Sequence, residues 1–415
     1  MAVIAASQLV SVGAGGAVAD EQLAAAAAAL AAAGLPPAVR IFVEDDESAL
    51  ERALAPEVAV TVIVAGPGGS AGDIVRRTLA RVAGVRLVLS EPMRAALQEV
   101  AQRRDRPLPR RDDRLALLPH GASLWTVPGA EPAWVLEARG CAFVVLPRGG
   151  GAAQALAQQV TTYARARLGG RGLAVRTLRV TGPSLAEVEE RLAAWLGRAA
   201  GDAVEVATLA AEGEVWVRLR GRGVTSGAAG ESIRSAEGEL AALLGEDCYG
   251  RDDETLERVV GTLLVERKLT LAVAESCTGG LLGHRLTGVP GSSRYFERGV
   301  MVYSNRAKEE LLGVPAEVLR VHGAVSGPCA EAMAAGMRRA GGTDCALAVT
   351  GIAGPDGGTP TKPVGTVFVG VAVGSHVGAE RFHFVGDRAS VKWQSAQAAL
   401  DLLRRRLLRT PESAR

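Results

Sequence analysis

Ser276 and Cys277 stand side by side in the segment AESCTGG (274–280), followed by Thr278, Gly279 and Gly280. A hydroxyl or thiolate attacks a carbonyl once a neighbouring base has taken its proton. A desolvated lysine is one such base. The chain has only four lysines, Lys268, Lys308, Lys362 and Lys392, all beyond residue 267. Elsewhere the positive charges are arginines, which do not deprotonate in proteins. Three more patches pair polar side chains with turns: Tyr303-Ser304-Asn305 with Lys308, the run Thr350-Gly351-Ile352-Ala353-Gly354-Pro355-Asp356-Gly357-Gly358, and Gly386-Asp387-Arg388. Glycine turns expose backbone N–H groups that hold an oxyanion or a phosphate, and an arginine such as Arg388 forks onto phosphate. The set suits hydrolysis of an amide or ester on a small phosphorylated substrate, with no metal and no cofactor.

The sequence leaves two candidate nucleophiles. Adjacent residues at a strand edge face opposite ways, so only one of Ser276 and Cys277 points into a cleft. Cysteine is among the most buried residue types. A cysteine nucleophile normally has a histidine partner, and the nearest, His284, falls on the following helix. A serine beside a lysine forms a known dyad, so Ser276 is preferred and Cys277 remains the alternative.

Positioning these patches requires strands. The apolar run LTLAVAES leads into Ser276, GVMVYSN (299–305) into Lys308, and DCALAVTGIAG into the Thr350 loop. Each patch therefore falls at a strand end, where open α/β sheets form ligand sites. DETLERVVGTLLVER, PCAEAMAAGMRRA and RASVKWQSAQAALDLLRRRLL read as helices, and GTVFVGVAVG and AERFHFVG as further strands, giving an α/β domain over 251–415. Residues 1–168 repeat a strand–turn–helix rhythm, with buried strands at EVAVTVIVAG (57–66) and CAFVVLP (141–147), which predicts a second α/β domain with parallel strands. The segment RDRPLPRRDDR between them reads as a polar surface loop. LGGRG (168–172) then punctuates the chain. Over 169–250 the order becomes β-α-β-β-α, with PSLAEVEERLAAWLGRAA as one amphipathic helix. That order is a small α+β module, KH-like or ferredoxin-like. Its nearest match to an RNA-binding GXXG loop, GRGVTSGAAG, is poorly placed, so this part reads as a spacer.

Bulk composition narrows the classes. A net charge of +2 and 4% aromatic residues argue against a nucleic-acid surface. The five cysteines include no CxxC pair, which suits reduced thiols in a cytoplasm and neither a disulfide framework nor a zinc site. The apolar N-terminus has no basic residue before Arg40, so it does not read as a signal peptide, and the Ala-rich run 24–33 is too short to span a membrane. A cytoplasmic protein without membrane contact is expected.

The motifs AESCTGG, YSNRAK, HGAVS, TGIAGPDGG, KPVGTV and GDR occur in this order. They resemble the nicotinamide-nucleotide amidohydrolase family, which is similar to the C-terminal domain of CinA proteins. The resemblance covers about 250–410 and implies conversion of nicotinamide mononucleotide to nicotinate mononucleotide and ammonia, a step of pyridine-nucleotide salvage. It implies Ser276 as nucleophile and Lys308 as its base, with Tyr303 beside them in the catalytic group. Thr278, Gly279, Gly280, Asn305, Thr350, Gly351, Gly354 and Arg388 would then line the substrate pocket. LLPHGASLW and GAEPAWVLEARGCAFVVLP resemble the CinA N-terminal domain, which implies a molybdopterin-binding-like α/β fold. Some members hydrolyse ADP-ribose there with a divalent metal. Here the corresponding loops read VGAGGAV, VAGPGGSAGD and PRGGGAAQ and keep only Asp73 of a pair of aspartates. A site short of carboxylates holds a divalent ion poorly, so the front domain is expected to be inactive and to serve as scaffold or dimer interface. The rival expectations are a regulatory protein, with a recombination protein as partner, and a bifunctional enzyme that retains pyrophosphatase activity. A homodimer is expected in each case.

Overall fold

The computed structural model describes residues 4–13, 21–35, 37–55, 58–65, 69–105, 112–148, 152–168, 172–196, 203–211, 213–223 and 226–409. The segments VGAGGAV, VAGPGGSAGD, RDRPLPRRDDR, PRGGGAAQ, LGGRG, GRGVTSGAAG and the terminal RTPESAR lie partly or largely outside these residues. The chain divides into two units, Met1–Val175 with Arg220–Ile233, and Arg176–Leu219 with Arg234–Arg415.

In the first unit, strands β1 (Ile4–Val12), β2 (Pro37–Val43), β3 (Val58–Ala65), β6 (Ser123–Trp125), β7 (Ala133–Ala138) and β8 (Cys141–Pro147) form a sheet in the order β2-β1-β3-β8-β7-β6. The short β4 (Leu87–Leu89) and β5 (Leu117–Pro119) pair separately. Strand alternation divides β3 between two cores. Val60, Val62 and Val64 pack with Leu30 and Leu156, whereas Ile63 and Ala65 pack with Val75, Leu79 and Met93. Helices therefore cover both faces. The expectation of parallel strands holds for β1, β2, β3 and β8 only, because β7 and β6 add on antiparallel. The cause is local: Arg139 (φ 53°) and Gly140 (φ 77°) both adopt positive φ, the requirement of a two-residue hairpin turn, and so fold β7 directly back onto β8.

The small sheet comprises β9 (Gly172–Val180), β10 (Val204–Ala211), β11 (Glu214–Gly223) and β12 (Cys248–Arg251), in the order β10-β11-β9-β12. Strand β12 extends the expected β-α-β-β-α order by one antiparallel edge strand. The predicted single helix over 183–200 is two: Leu185–Arg191, started by the Ser184–Glu187 capping box, and Ala193–Leu196, with a break at Leu192.

Residues beyond 250 form a five-stranded sheet from β13 (Leu271–Glu275), β14 (Phe296–Met301), β15 (Cys345–Gly351), β16 (Thr366–Val373) and β17 (His376–His383), in the order β14-β13-β15-β16-β17. The first three are mutually parallel and the last two antiparallel. Alternation again builds two cores. Leu271, Val273, Leu347 and Val349 pack with Val260, Leu282 and Leu400 on one face. Ala272, Ala274, Ala346 and Ala348 pack with Leu312, Met333 and Met337 on the other. The alanine face admits helices very closely. A Cβ on Gly336 would lie 2.1 Å from the Leu312 carbonyl oxygen, and one on Gly370 would lie 2.2 Å from that of Ala330. This architecture fixes the site. The helix following β13, Leu281–Thr287, packs on the first face, and the helix following β14, Asn305–Leu312, packs on the second. The carboxyl end of β13 is thus the point where the connections part, which is where a crevice opens in such sheets.

Candidate active site

Ser276 leaves the end of β13 and stays registered with the sheet. Its N–H donates to the Val349 carbonyl (3.0 Å), while Val302 donates to the Glu275 carbonyl (2.8 Å). Ser276 is 8% exposed. Lys308 enters from the opposite face, on the helix that Ser304 caps by accepting from the Ala307 N–H (3.1 Å). Although a lysine, it is only 1% exposed and ranks among the largest fully buried side chains of the described residues. Its Nζ lies 3.2 Å from Ser276 Oγ, 2.8 Å from the Val302 carbonyl oxygen and 3.3 Å from that of Tyr303. No carboxylate pairs with it among the described residues. Burial therefore pushes the Lys308 ammonium below the ordinary lysine range. In the neutral amine, two N–H bonds satisfy the two carbonyls and the lone pair is left for the Ser276 hydroxyl proton. This is the arrangement a general base requires.

The same geometry separates the two candidate nucleophiles. Cys277 belongs to the hydrophobic core beside Leu282 and Val349. Burial pushes its thiol up to about 12, so it remains protonated at neutral pH.

The glycines do other work than cradling an anion. Glu275, itself buried, accepts hydrogen bonds from the N–H groups of Gly280 (3.0 Å), Leu282 (3.0 Å) and Gly283 (2.8 Å), so a carboxylate of the chain already occupies the start of the Leu281–Thr287 helix. The Gly279 N–H donates to the Ser276 carbonyl (3.2 Å). What Gly279 and Gly280 supply is positive φ (61° and 94°), which turns the chain sharply behind Ser276. Among the described residues the Thr278 amide has no acceptor, and that of Cys277 has none beyond its own sulfur. These two amides, unlike those of the glycines, have no acceptor elsewhere among the described residues. The Thr278 hydroxyl is fully buried without a partner.

Arg388 also makes contacts within the chain. Its guanidinium donates to the Gly354 carbonyl (2.8 Å) and to the Tyr303 hydroxyl (3.2 Å), tying two loops together. Tyr303 is 64% exposed and reaches Lys308 through its carbonyl. Asn305 is exposed at the first position of its helix. The Thr350 hydroxyl donates to the Ala324 carbonyl (2.8 Å), and Gly351 approaches β16 so closely that a Cβ would meet Val367 at 2.7 Å. Ser276, Lys308, Tyr303, Arg388 and Gly354 are thus joined through direct contacts, with Gly279 and Gly280 in the adjoining turn, whereas Thr350 and Gly351 brace the neighbouring strand ends. Sequence reasoning missed Glu275 and gave Lys392 no role, although Lys392 Nζ lies 3.6 Å from the Cβ position of Gly279. The scarcity of lysine was the available signal for the latter.

In the front unit, Asp73, the one aspartate kept of the pair that the resemblance implies, is already engaged. Asp73 pairs with Arg76 and, at 3.6 Å, with Arg114. Among the described residues no three His, Cys, Asp or Glu side chains gather to hold a metal ion. Among the described residues, Asp73 in this pairing does not offer a divalent cation the oxygen ligands it needs.

Sequence comparison gives the family. The CinA C-terminal domain matches residues 253–407, and the KH domain of the damage-inducible protein CinA matches 175–250. A CinA-like protein of Syntrophus aciditrophicus is 40% identical over 373 residues, 88% of this chain and 88% of its own. The chain belongs to the CinA family. A second CinA-like protein, from Geobacter sulfurreducens, is 39% identical over 401 residues, 95% of this chain and 96% of its own. A crystal structure of a competence-damaged protein (CinA) superfamily member from Klebsiella pneumoniae is 35% identical, covering 37% of this chain and 97% of that one with a TM-score of 0.37. The Ser276–Lys308 pair lies within the part matched as the CinA C-terminal domain, and among the described residues no helix is long and apolar enough to cross a membrane.

Proposed function

We propose that the chain hydrolyses the carboxamide of nicotinamide mononucleotide to nicotinate mononucleotide and ammonia. The observation that carries this reading is the buried Lys308 amine, 3.2 Å from Ser276 Oγ and held by two backbone carbonyls without an acid partner. Ser276 Oγ attacks the carboxamide carbon while its proton passes to Lys308 Nζ. The carbonyl oxygen becomes an oxyanion facing the Cys277 and Thr278 amides. Collapse expels the amine as ammonia, with the proton returned from Lys308, and leaves a Ser276 ester. Water, deprotonated by Lys308, then cleaves the ester and frees the carboxylate product.

On this reading the substrate is a small nucleotide, the front unit takes no part in the chemistry, and the chain acts as a homodimer in the cytoplasm. Ammonia release from nicotinamide mononucleotide by the full chain tests the activity. Turnover that depends on Ser276 supports it, and its absence over pH 6–10 favours a regulatory role for the chain, with a recombination protein as partner.

A further inference from the structure

Lys392 sits four residues beyond Arg388 on the Arg388–Arg409 helix, so the two cations share one face. Its ammonium lies 3.6 Å from the Cβ position of Gly279, covering the far end of the turn that begins at Ser276. Arg388 is committed to the Gly354 carbonyl and the Tyr303 hydroxyl. Lys392 Nζ, half-buried, has no acceptor among the described residues. Directly before Gly279 the buried Thr278 hydroxyl is also unpartnered. An uncommitted cation against the turn whose first residue is the nucleophile calls for an anionic group on the substrate away from the reacting carbon.

We infer that Lys392 holds the phosphate of a phosphomonoester substrate, while Arg388 positions the Gly354 and Tyr303 loops around it. This rests on the deamidase reading. In nicotinamide mononucleotide a ribose and a ring separate the amide from a phosphate carrying about −1.5 to −2 charge at neutral pH. The group that binds the phosphate must therefore stand off from Ser276, and Lys392 lies against Gly279, three residues further along the turn. A lysine binds phosphate as a compact point charge with three donors and needs no bidentate fork.

The test uses the full chain and its Lys392→Gln and Lys392→Arg variants, with nicotinamide mononucleotide and nicotinamide riboside as paired substrates. Lys392→Gln should raise KM for the nucleotide about 10- to 100-fold, as expected on losing a charge-assisted contact. Its kcat on the nucleotide and both constants for the riboside should change little, and Lys392→Arg should recover much of the nucleotide KM. An equal loss on both substrates places Lys392 at the reacting centre or in the fold and overturns the inference, as does an unchanged KM. Inorganic phosphate, titrated calorimetrically into parent and variant, reports on the same group independently of turnover. Binding lost in Lys392→Gln supports the assignment, and equal binding in both overturns it. A parent that binds phosphate through Lys392 but releases no ammonia would sink the deamidase reading while leaving the anion site standing.

Discussion

On the deamidase reading, the function of Lys308 depends on losing a proton, and this separates it from a merely cationic residue. Burial without an acid partner lowers its pKa from the ordinary 10.5. The active form is the neutral amine, so kcat/KM should rise with pH and level off once Lys308 has deprotonated, its midpoint below that of an ordinary lysine. A midpoint at or above the ordinary lysine range would contradict this assignment. Lys308→Arg keeps the charge but cannot release it near neutrality, so kcat should fall about 10²- to 10⁴-fold. Circular dichroism would confirm that this variant is folded. A kcat within threefold of the parent, about 0.6 kcal/mol in barrier terms, would remove Lys308 from the role of base. Ser276→Ala should lose at least about 10³-fold in turnover, whereas Cys277→Ala should keep activity, because that thiol is buried in the core and raised to about 12. The reverse pattern would make Cys277 the nucleophile.

Strand ends and the glycine turn were legible in the sequence because apolar runs and glycine punctuation are local signals. A serine–lysine dyad was legible from residue chemistry, but Lys308 as the partner of Ser276 came with the family resemblance, since the pair joins a strand end to a helix on the sheet's other face. What could not be read was where the backbone amides go. Glu275 looks like one more polar residue at a strand end, yet it takes the amides of Gly280, Leu282 and Gly283, and so removes the anion site that the glycines suggested. The β7–β8 hairpin was hidden for a similar reason, since Arg139 with positive φ is an unusual occupant of such a turn. Close helix packing is equally silent in the sequence, and it positions the Lys308 helix. Gly336 faces the Leu312 carbonyl with no room for a methyl group. Gly336→Ala should therefore push the Asn305–Leu312 helix away, costing about 1–3 kcal/mol and lowering turnover as the Lys308–Ser276 distance opens. Differential scanning calorimetry and kcat on the same sample check both effects. A variant with unchanged midpoint and unchanged kcat would show that this contact does not set the pair.

Across the described residues, the part beyond 250 and the front unit differ in which polar groups are already paired. The alternating α/β layering of the front unit and of the part beyond 250 follows from the same period-2 strand pattern, so fold alone does not say which of them reacts. The difference lies in uncommitted groups. Beyond 250, a buried amine faces a hydroxyl with no acid among the described residues to neutralise it. In the front unit, Asp73 is neutralised by Arg76 and Arg114. Ligating a divalent cation there would mean breaking an ion pair and bringing a doubly charged ion beside two guanidinium groups, which Coulomb repulsion opposes. The full chain should accordingly show no ADP-ribose hydrolysis above background with Mg²⁺, Mn²⁺ or Co²⁺. Amide hydrolysis should survive EDTA, because nucleophile and base both come from the protein. Both assays belong on one preparation, with Ser276→Ala alongside. Metal-dependent release of ribose 5-phosphate that persists in Ser276→Ala would show a second working centre in the front unit. Loss of ammonia release on chelation would show that the Ser276–Lys308 pair does not act alone.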